Sequence, residues 1–466
     1  METVFGIETV LLSRIQFAFT IGFHIVFPAF SIGLSAYIAT LEVIWLKTGQ
    51  PHFHTLARFW TKIFAVSFAM GVVSGIVMEY QLGTNWSRFG QVVGNTLAPL
   101  FAYEVLTAFF LEASFLGVML FGWNRFPPWL HTMASVFVAL GTALSGFWIL
   151  AANSWMHTPA GFELRDGITY PVSWLHVIFN PSFPYRFVHM MVATYITVSM
   201  VVAATGARYL FAGRYPREAM TMLRMGLGML ALLAPLQALV GDLHGLNTLE
   251  HQPAKVAAIE AHWEDTGPAD LVLFAWPDMQ GERNRFEIAV PHLGSLILTH
   301  EWNGRFKGLR EFPRDQRPPV APVFFAFRVM VGLGLFMIAV GWFGMWLLWR
   351  GRIEGQRWFL RLLRICWPVG FAALLAGWVV TEVGRQPWIV HGILRTADAS
   401  SPVGAVEVFI SLALFVLVYF VVFSIGIWYI NRMIGKGPEA QGPGPETLPN
   451  RPLAGARPDG GEAVPS

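Results

Sequence analysis

Nine stretches of this chain are apolar for long enough to cross a bilayer: roughly 14–46, 60–80, 97–123, 129–152, 187–211, 222–241, 323–349, 365–383 and 405–431. A spanning helix needs about 20 mostly apolar residues, because the hydrocarbon core is about 30 Å thick and a helix rises about 1.5 Å per residue. Inside lipid the backbone must satisfy its own hydrogen bonds, so such runs fold as helices. Only 13% of the 466 residues are charged, against about 25% in an ordinary soluble domain. The expected class is an all-α integral membrane protein with about nine transmembrane helices. A soluble enzyme is excluded. So is a disulfide scaffold, since Cys366 is the only cysteine.

The net charge of +3 does not point to nucleic acid, because the basic residues fall in short clusters between apolar runs. Thirteen of them lie in the loops after runs one, three, five and seven, and five in the short loops after runs two, four and eight. The positive-inside rule then puts the N-terminus outside and the C-terminus in the cytoplasm, where Arg432 and Lys436 agree. Glu2 and Glu8 stand where a cleavable signal would carry basic residues. The expected organisation is helices one to six in 1–241, a large outer loop in 242–322, helices seven to nine in 323–436, and a disordered tail in 437–466. That tail is rich in Pro, Gly and Ala. No internal repeat is visible, which disfavours an inverted-repeat transporter.

Ionisable residues inside lipid are costly and mark function. Two of the 13 histidines, His24 and His189, sit well inside apolar runs, both toward the outer side. The bland reading of each is a hydrogen bond to a neighbouring helix. Met330 and Arg328 lie at a similar depth on the seventh run. Methionine opposite histidine makes a low-spin, electron-transfer haem, and an arginine beside it suits a propionate. Taken alone, Met330 is core packing, one of 18 methionines. No CxxCH occurs, so any haem is held non-covalently.

Glu104 and Glu112 share the third run, eight residues apart. On an α-helix that is about 80° of rotation and 12 Å of rise, so both border one face, as a proton relay requires. Hydrogen bonds from protonated carboxyls are the competing reading. Glu79 ends the second run and is ambiguous. Glu382, followed by Gly384, Arg385, Gln386, Pro387 and Trp388, combines a carboxylate, a guanidinium and an indole at the outer end of run eight. These are the parts of a metal ligand with a propionate clamp, or of a plain interfacial anchor.

Six motifs in this order, SRIQFAFTIGFH, EYQLGTNWSRFG, APLFAYEVLTAFFLEASFLG, KVAAIEAHWE, FRVMVGLG and TEVGRQPW, resemble subunit I of the cytochrome bd-type quinol oxidases. The resemblance covers about Leu12 to Trp388 and runs weakly through the ninth helix. It implies three haems: a low-spin haem b on His189 and Met330 with Arg328 alongside, and two high-spin haems, b and d or b and b. The proximal ligands of the latter would be His24 and Glu382. Arg385 would support propionates, and Trp378 belongs with the cofactor-binding set. Glu104 and Glu112 would deliver protons, and Lys255 and Glu260 match quinol-loop residues. The implied substrates are ubiquinol or menaquinol and O2, and the implied site is the bacterial inner membrane, surrounded by lipid. A second related subunit and a small third one are the implied partners. The outer loop is similar to the shorter of the family's two variants, and some relatives carrying it are described as cyanide-insensitive.

A haem–copper oxidase needs a converging set of histidines that these runs lack. A bis-His cytochrome b needs paired histidines along helices, and Pro181 and Pro184 break any helix between His176 and His189. A proton-coupled transporter or a non-redox scaffold accounts for the glutamates but not for His189 and Met330 at matched depth.

Overall fold

The computed structural model describes residues 3–265 and 267–438. Eight helices there are long and apolar enough to cross a membrane: α1 (Thr9–Thr48), α2 (Pro51–Thr84), α3 (Ser87–Phe121), α4 (Pro128–His157), α5 (Phe183–Phe211), α6 (Pro216–His251), α7 (Val320–Trp349) and α9 (Ala405–Lys436). The span between the last two, α8, is a pair, Arg357–Ile365 and Val369–Val383, bent by 41°. Pro368 lies in the break, where it removes a backbone donor. The nine spans match the nine apolar runs.

Their ends do not. α2 begins at Pro51, α4 runs on to His157, and α6 spans Pro216–His251 rather than 222–241. The first ten residues of the expected outer loop are therefore helix. Asp242, His244 and Glu250 are too polar for lipid, yet nothing in the segment stops a helix before Gln252 and Pro253. Residues 439–466 of the expected disordered tail lie outside the described residues.

Helices α5 and α6 make the most extensive pairing of the bundle, and α7 packs on α6. Val192, Ile196, Met200, Leu223, Leu227 and Leu230 form one core there with Met337 and Val340. Lipid tails are as apolar as leucine, so tight backbone approach is what holds such helices together. At Gly226 of α6 a Cβ would stand 2.8 Å from the Ser199 carbonyl of α5. At the inner end, Arg214 Nη2 donates to the Lys436 carbonyl at 2.7 Å and Tyr209 Oη to that of Ile434 at 2.6 Å. The α5–α6 turn thereby caps the orphan carbonyls of α9.

All four two-stranded sheets fall before α1 or after α4, α6 and α8, so they share the outer end. The inner connections are short. The large outer segment folds into helix Pro253–Glu260, a hairpin of Leu271–Asp278 with Arg283–Val290, and helix Leu293–Thr299. Its core of Ala257, Ile259, Trp263, Val272 and Leu309 seats on Val320, Val323 and Phe324 at the start of α7.

Candidate functional site

Four helices deliver polar groups to one buried cluster at the outer end. Glu382, in the last turn of α8, accepts from Asn153 Nδ2 of α4 through Oε1 at 3.0 Å, and from Arg385 through Oε2. Asn153 accepts in turn from Arg186 of α5. One turn past Asn153, His157 Nε2 stands 3.6 Å from Glu382 Oε1. Lys255 Nζ lies 3.4 Å from His157 Nδ1 and donates to Gln252 Oε1 at 3.2 Å. Lys255 is thus buried at the root of the outer segment, not displayed on it. Burial, reinforced by Arg186, holds its ammonium well below the usual lysine range.

The cluster is unbalanced. Arg186 and Arg385 are two buried guanidinium cations, with the Lys255 amine beside them, around Glu382, the one carboxylate of the cluster among the described residues. Arg186 Nε and Arg385 Nε and Nη1 are buried without an acceptor. Orphaned guanidinium donors at such depth are costly, and an anion with several oxygens satisfies them. The donor set fits the two carboxylates of a haem. Asn153, His157, Arg186 and Gln252 escape a sequence reading, because each looks like an ordinary polar residue near a helix end. The one signal is spacing: Asn153 and His157 are four apart on α4, and Arg186 is three before His189 on α5.

His189 lies two turns into α5 and faces α6. Its Nδ1 is buried without a partner. Gln237 Nε2 donates to its carbonyl at 3.0 Å, and the His244 ring meets its ring edge-on at 5.4 Å. Met330 of α7 faces α8, where a Cβ on Gly377 would stand 3.0 Å from its sulfur. The next residue, Trp378, packs with Ile25, Ala29 and Met190. His189 thus lies against α6 and Met330 against α8, while Trp378 links α8 to α1.

His24 ends the first half of α1, at a break centred on Ile25. Its Nδ1 pairs with Ser74 Oγ of α2 at 2.9 Å, and a Cβ on Gly75 would stand 3.3 Å from its Cε1. Both glutamates of α3 lean on α4. Glu104 accepts from Ser145 Oγ at 2.7 Å, and the Glu112 side chain fills the notch at Gly141, one turn away. An α-helical offset of about 80° would not place both so closely on one neighbour. Residues Ala108–Ala113 are π-helical, and the wider turn brings Glu112 round onto the face of Glu104. Glu112 Oε1 is buried without a donor.

Arg328 does not reach the cluster. Its Nη2 pairs with Glu260 Oε2 at 2.8 Å, its Nε donates to the Val272 carbonyl at 3.0 Å, and its Nη1 to that of Ile259 at 2.7 Å. These bonds tie the start of α7 to the outer segment, while Arg385 sits in the cluster beside Glu382.

The family model described as cytochrome bd terminal oxidase subunit I matches residues 12–438. Cytochrome bd ubiquinol oxidase subunit 1 of Bacillus subtilis (strain 168) is 36% identical over 448 residues, covering 92% of this chain and 94% of the relative. Cytochrome bd-II ubiquinol oxidase subunit 1 of Escherichia coli (strain K12) is 32% identical, covering 93% and 98%. The solved bd oxidase from Geobacillus thermodenitrificans superposes with a TM-score of 0.85 at 32% identity, over 92% of this chain and 99% of that one.

Proposed function

The chain belongs to the family of cytochrome bd terminal oxidase subunit I, and from that membership we propose that it is the haem-bearing catalytic subunit of a terminal quinol oxidase. It takes electrons from ubiquinol or menaquinol at the outer face and reduces O2 to water with cytoplasmic protons. A second membrane subunit completes the complex, with a small third one beside it. The observation that carries this reading is the outer cluster, where Arg186, Lys255 and Arg385 surround Glu382 with guanidinium donors unsatisfied.

Haem, when bound, supplies one-electron transfer and a binding site for O2. His189 and Met330 would hold a low-spin haem b between α5 and α7. His24 and Glu382 would each hold one of two high-spin haems, b with d or b with b. Asn153 orients the Glu382 carboxylate, and Arg385 and Arg186 would clamp propionates. Glu260, held by Arg328, belongs to the segment that covers the quinol. Lys255, buried at the root of the same segment, would serve quinol together with Glu260, as the motif implies.

Glu112 and then Glu104 pass protons outward along α4, with Ser145 holding Glu104. Quinol oxidation releases protons outside while O2 reduction consumes protons drawn from inside. Charge therefore separates across the membrane without a pump.

The test is a dithionite-reduced minus oxidised spectrum of the complex, with a pyridine haemochrome assay. Haem b bands are expected, and a far-red band would establish haem d. A colourless protein from a haem-replete host with its partner subunit present would overturn the oxidase and favour a proton-coupled transporter.

A further inference from the structure

At the end of the bundle that the basic loops assign to the cytoplasm, the α1–α2 and α5–α6 connections frame a groove of about 570 Å³. Arg217 and Arg224, seven residues apart on one face of α6, line one wall. Among the described residues neither has a carboxylate within ion-pair reach. His52 and Gln50 border the opposite side, and Glu354 is the one acid in the lining. Glu218 lies within electrostatic range of His52.

The floor is apolar. Ile44, Phe53 and Met225 line it, and one turn beyond Met225, on the same face of α6, Met229 is exposed. Met225 is nine residues into α6, about 13.5 Å from its start. The groove therefore runs from loop level, where α6 begins, down to hydrocarbon depth. Arg224 is long enough to return its guanidinium to the interface while its stem lies over apolar surface.

We infer that this groove binds an anionic phospholipid of the cytoplasmic leaflet, with the phosphate on Arg217 and Arg224 and an acyl chain over Phe53, Ile44 and Met225. Guanidinium forks match phosphate geometry, and basic pockets between helices on this side recognise anionic headgroups. A free anion would use the arginines but leave the apolar floor in water. A zwitterionic lipid would set its cationic group against them. The site is separate from the redox cluster, which lies at the opposite end of α5 and α6.

The test uses the complex of this chain with its partner subunit, delipidated in detergent and followed by native mass spectrometry. Phosphatidylglycerol, phosphatidylcholine and inorganic phosphate are titrated separately. The wild type should retain one phosphatidylglycerol per chain. The Arg217→Gln/Arg224→Gln variant should bind it at least tenfold more weakly, with an unchanged haem spectrum reporting an intact fold. Arg350→Gln/Arg352→Gln, which removes the same charge at the same membrane face, should bind normally. Equal binding by the groove variant, equal loss in the charge control, or phosphatidylcholine as tight as phosphatidylglycerol would overturn the inference. Inorganic phosphate bound as tightly as the lipid, or no adduct on the wild type because the partner subunit fills the groove, would overturn it too.

Discussion

Glu260 and Arg328 form a largely buried ion pair, Oε2 to Nη2 at 2.8 Å, across the junction between the outer segment and α7. Arg328 is two residues from Met330, so the pair ties the segment over the site to the helix that carries a proposed haem ligand. Removing one partner of a buried pair costs about 3 kcal/mol, because the other charge is left uncompensated. Glu260→Ala should therefore loosen residues 253–312, seen as faster amide exchange there, and should raise KM for quinol about tenfold. Glu260→Gln keeps a hydrogen-bond acceptor for Arg328 and should show a smaller effect on both. Unchanged exchange in Glu260→Ala would show that the bonds of Arg328 to the Val272 and Ile259 carbonyls suffice.

The approach of Met330 to α8 gives a second expectation. Met330→Leu removes the thioether and should convert the low-spin haem to a five-coordinate or misligated form. Gly377→Ala leaves the thioether in place but sets a methyl group 3.0 Å from its sulfur, so the sulfur must yield by a few tenths of an ångström. A partial loss of the low-spin band is expected, with total haem unchanged by pyridine haemochrome. A full low-spin spectrum in Met330→Leu would remove Met330 from the ligand set.

Stability of the outer segment should depend on pH through Glu282. Its Oε1 accepts from Arg314 Nε and Arg317 Nη1, both at 2.8 Å, and Oε2 lies 3.5 Å from Arg310. The Arg317 hydrogen bond, with Arg314 beside it, holds the carboxyl below the usual carboxylate range. A depressed folded-state pKa adds stability above the unfolded value of about 4.3 and loses it as pH falls through the folded one. Amide protection in residues 282–317, corrected for the intrinsic pH dependence of exchange, should therefore fall below about pH 4. In Glu282→Gln protection should be lower at neutral pH and flat across that window. A parallel acid response in both proteins would assign the effect to other groups.

The nine spans are legible because lipid makes hydropathy decisive, and His24, His189, Glu104, Glu112 and Glu382 stand out because they interrupt apolar runs, whereas Met330 is singled out only by the motif around it. The helix ends are not legible. α6 continues to His251 through residues chosen for water, where hydropathy falls although helical geometry persists. Nor is the outer cluster. Asn153, His157, Arg186 and Gln252 are distant in sequence and ordinary one by one, and only the meeting of α4, α5 and α8 with the root of the outer segment joins them to Glu382 and Lys255. The π-helical turn at Ala108–Ala113 was hidden for a related reason. It depends on how α3 packs against α4, while the local sequence AFFLEA reads as plain helix.

That turn sharpens the expectation for proton delivery. Glu104 and Glu112 reach α4 one turn apart, at Ser145 and Gly141, so a proton leaving Glu112 moves along one neighbour and crosses no second helix interface. Glu112→Gln retains the shape but cannot carry a proton, and should slow O2 reduction about 100-fold with haem content and quinol KM unchanged. Ser145→Ala removes only the hydrogen bond that orients Glu104 and should slow it less, about three- to tenfold, the scale of one net hydrogen bond. Gly141→Ala places a methyl group 2.9 Å from Glu112 Cγ, and should impair turnover by displacing the carboxyl although no titratable group is lost. Stopped-flow reoxidation with a pH dye separates these effects from electron input. Each variant should show normal haem reduction by quinol and delayed proton uptake. Normal uptake in Glu112→Gln would take the α3–α4 seam out of the proton path.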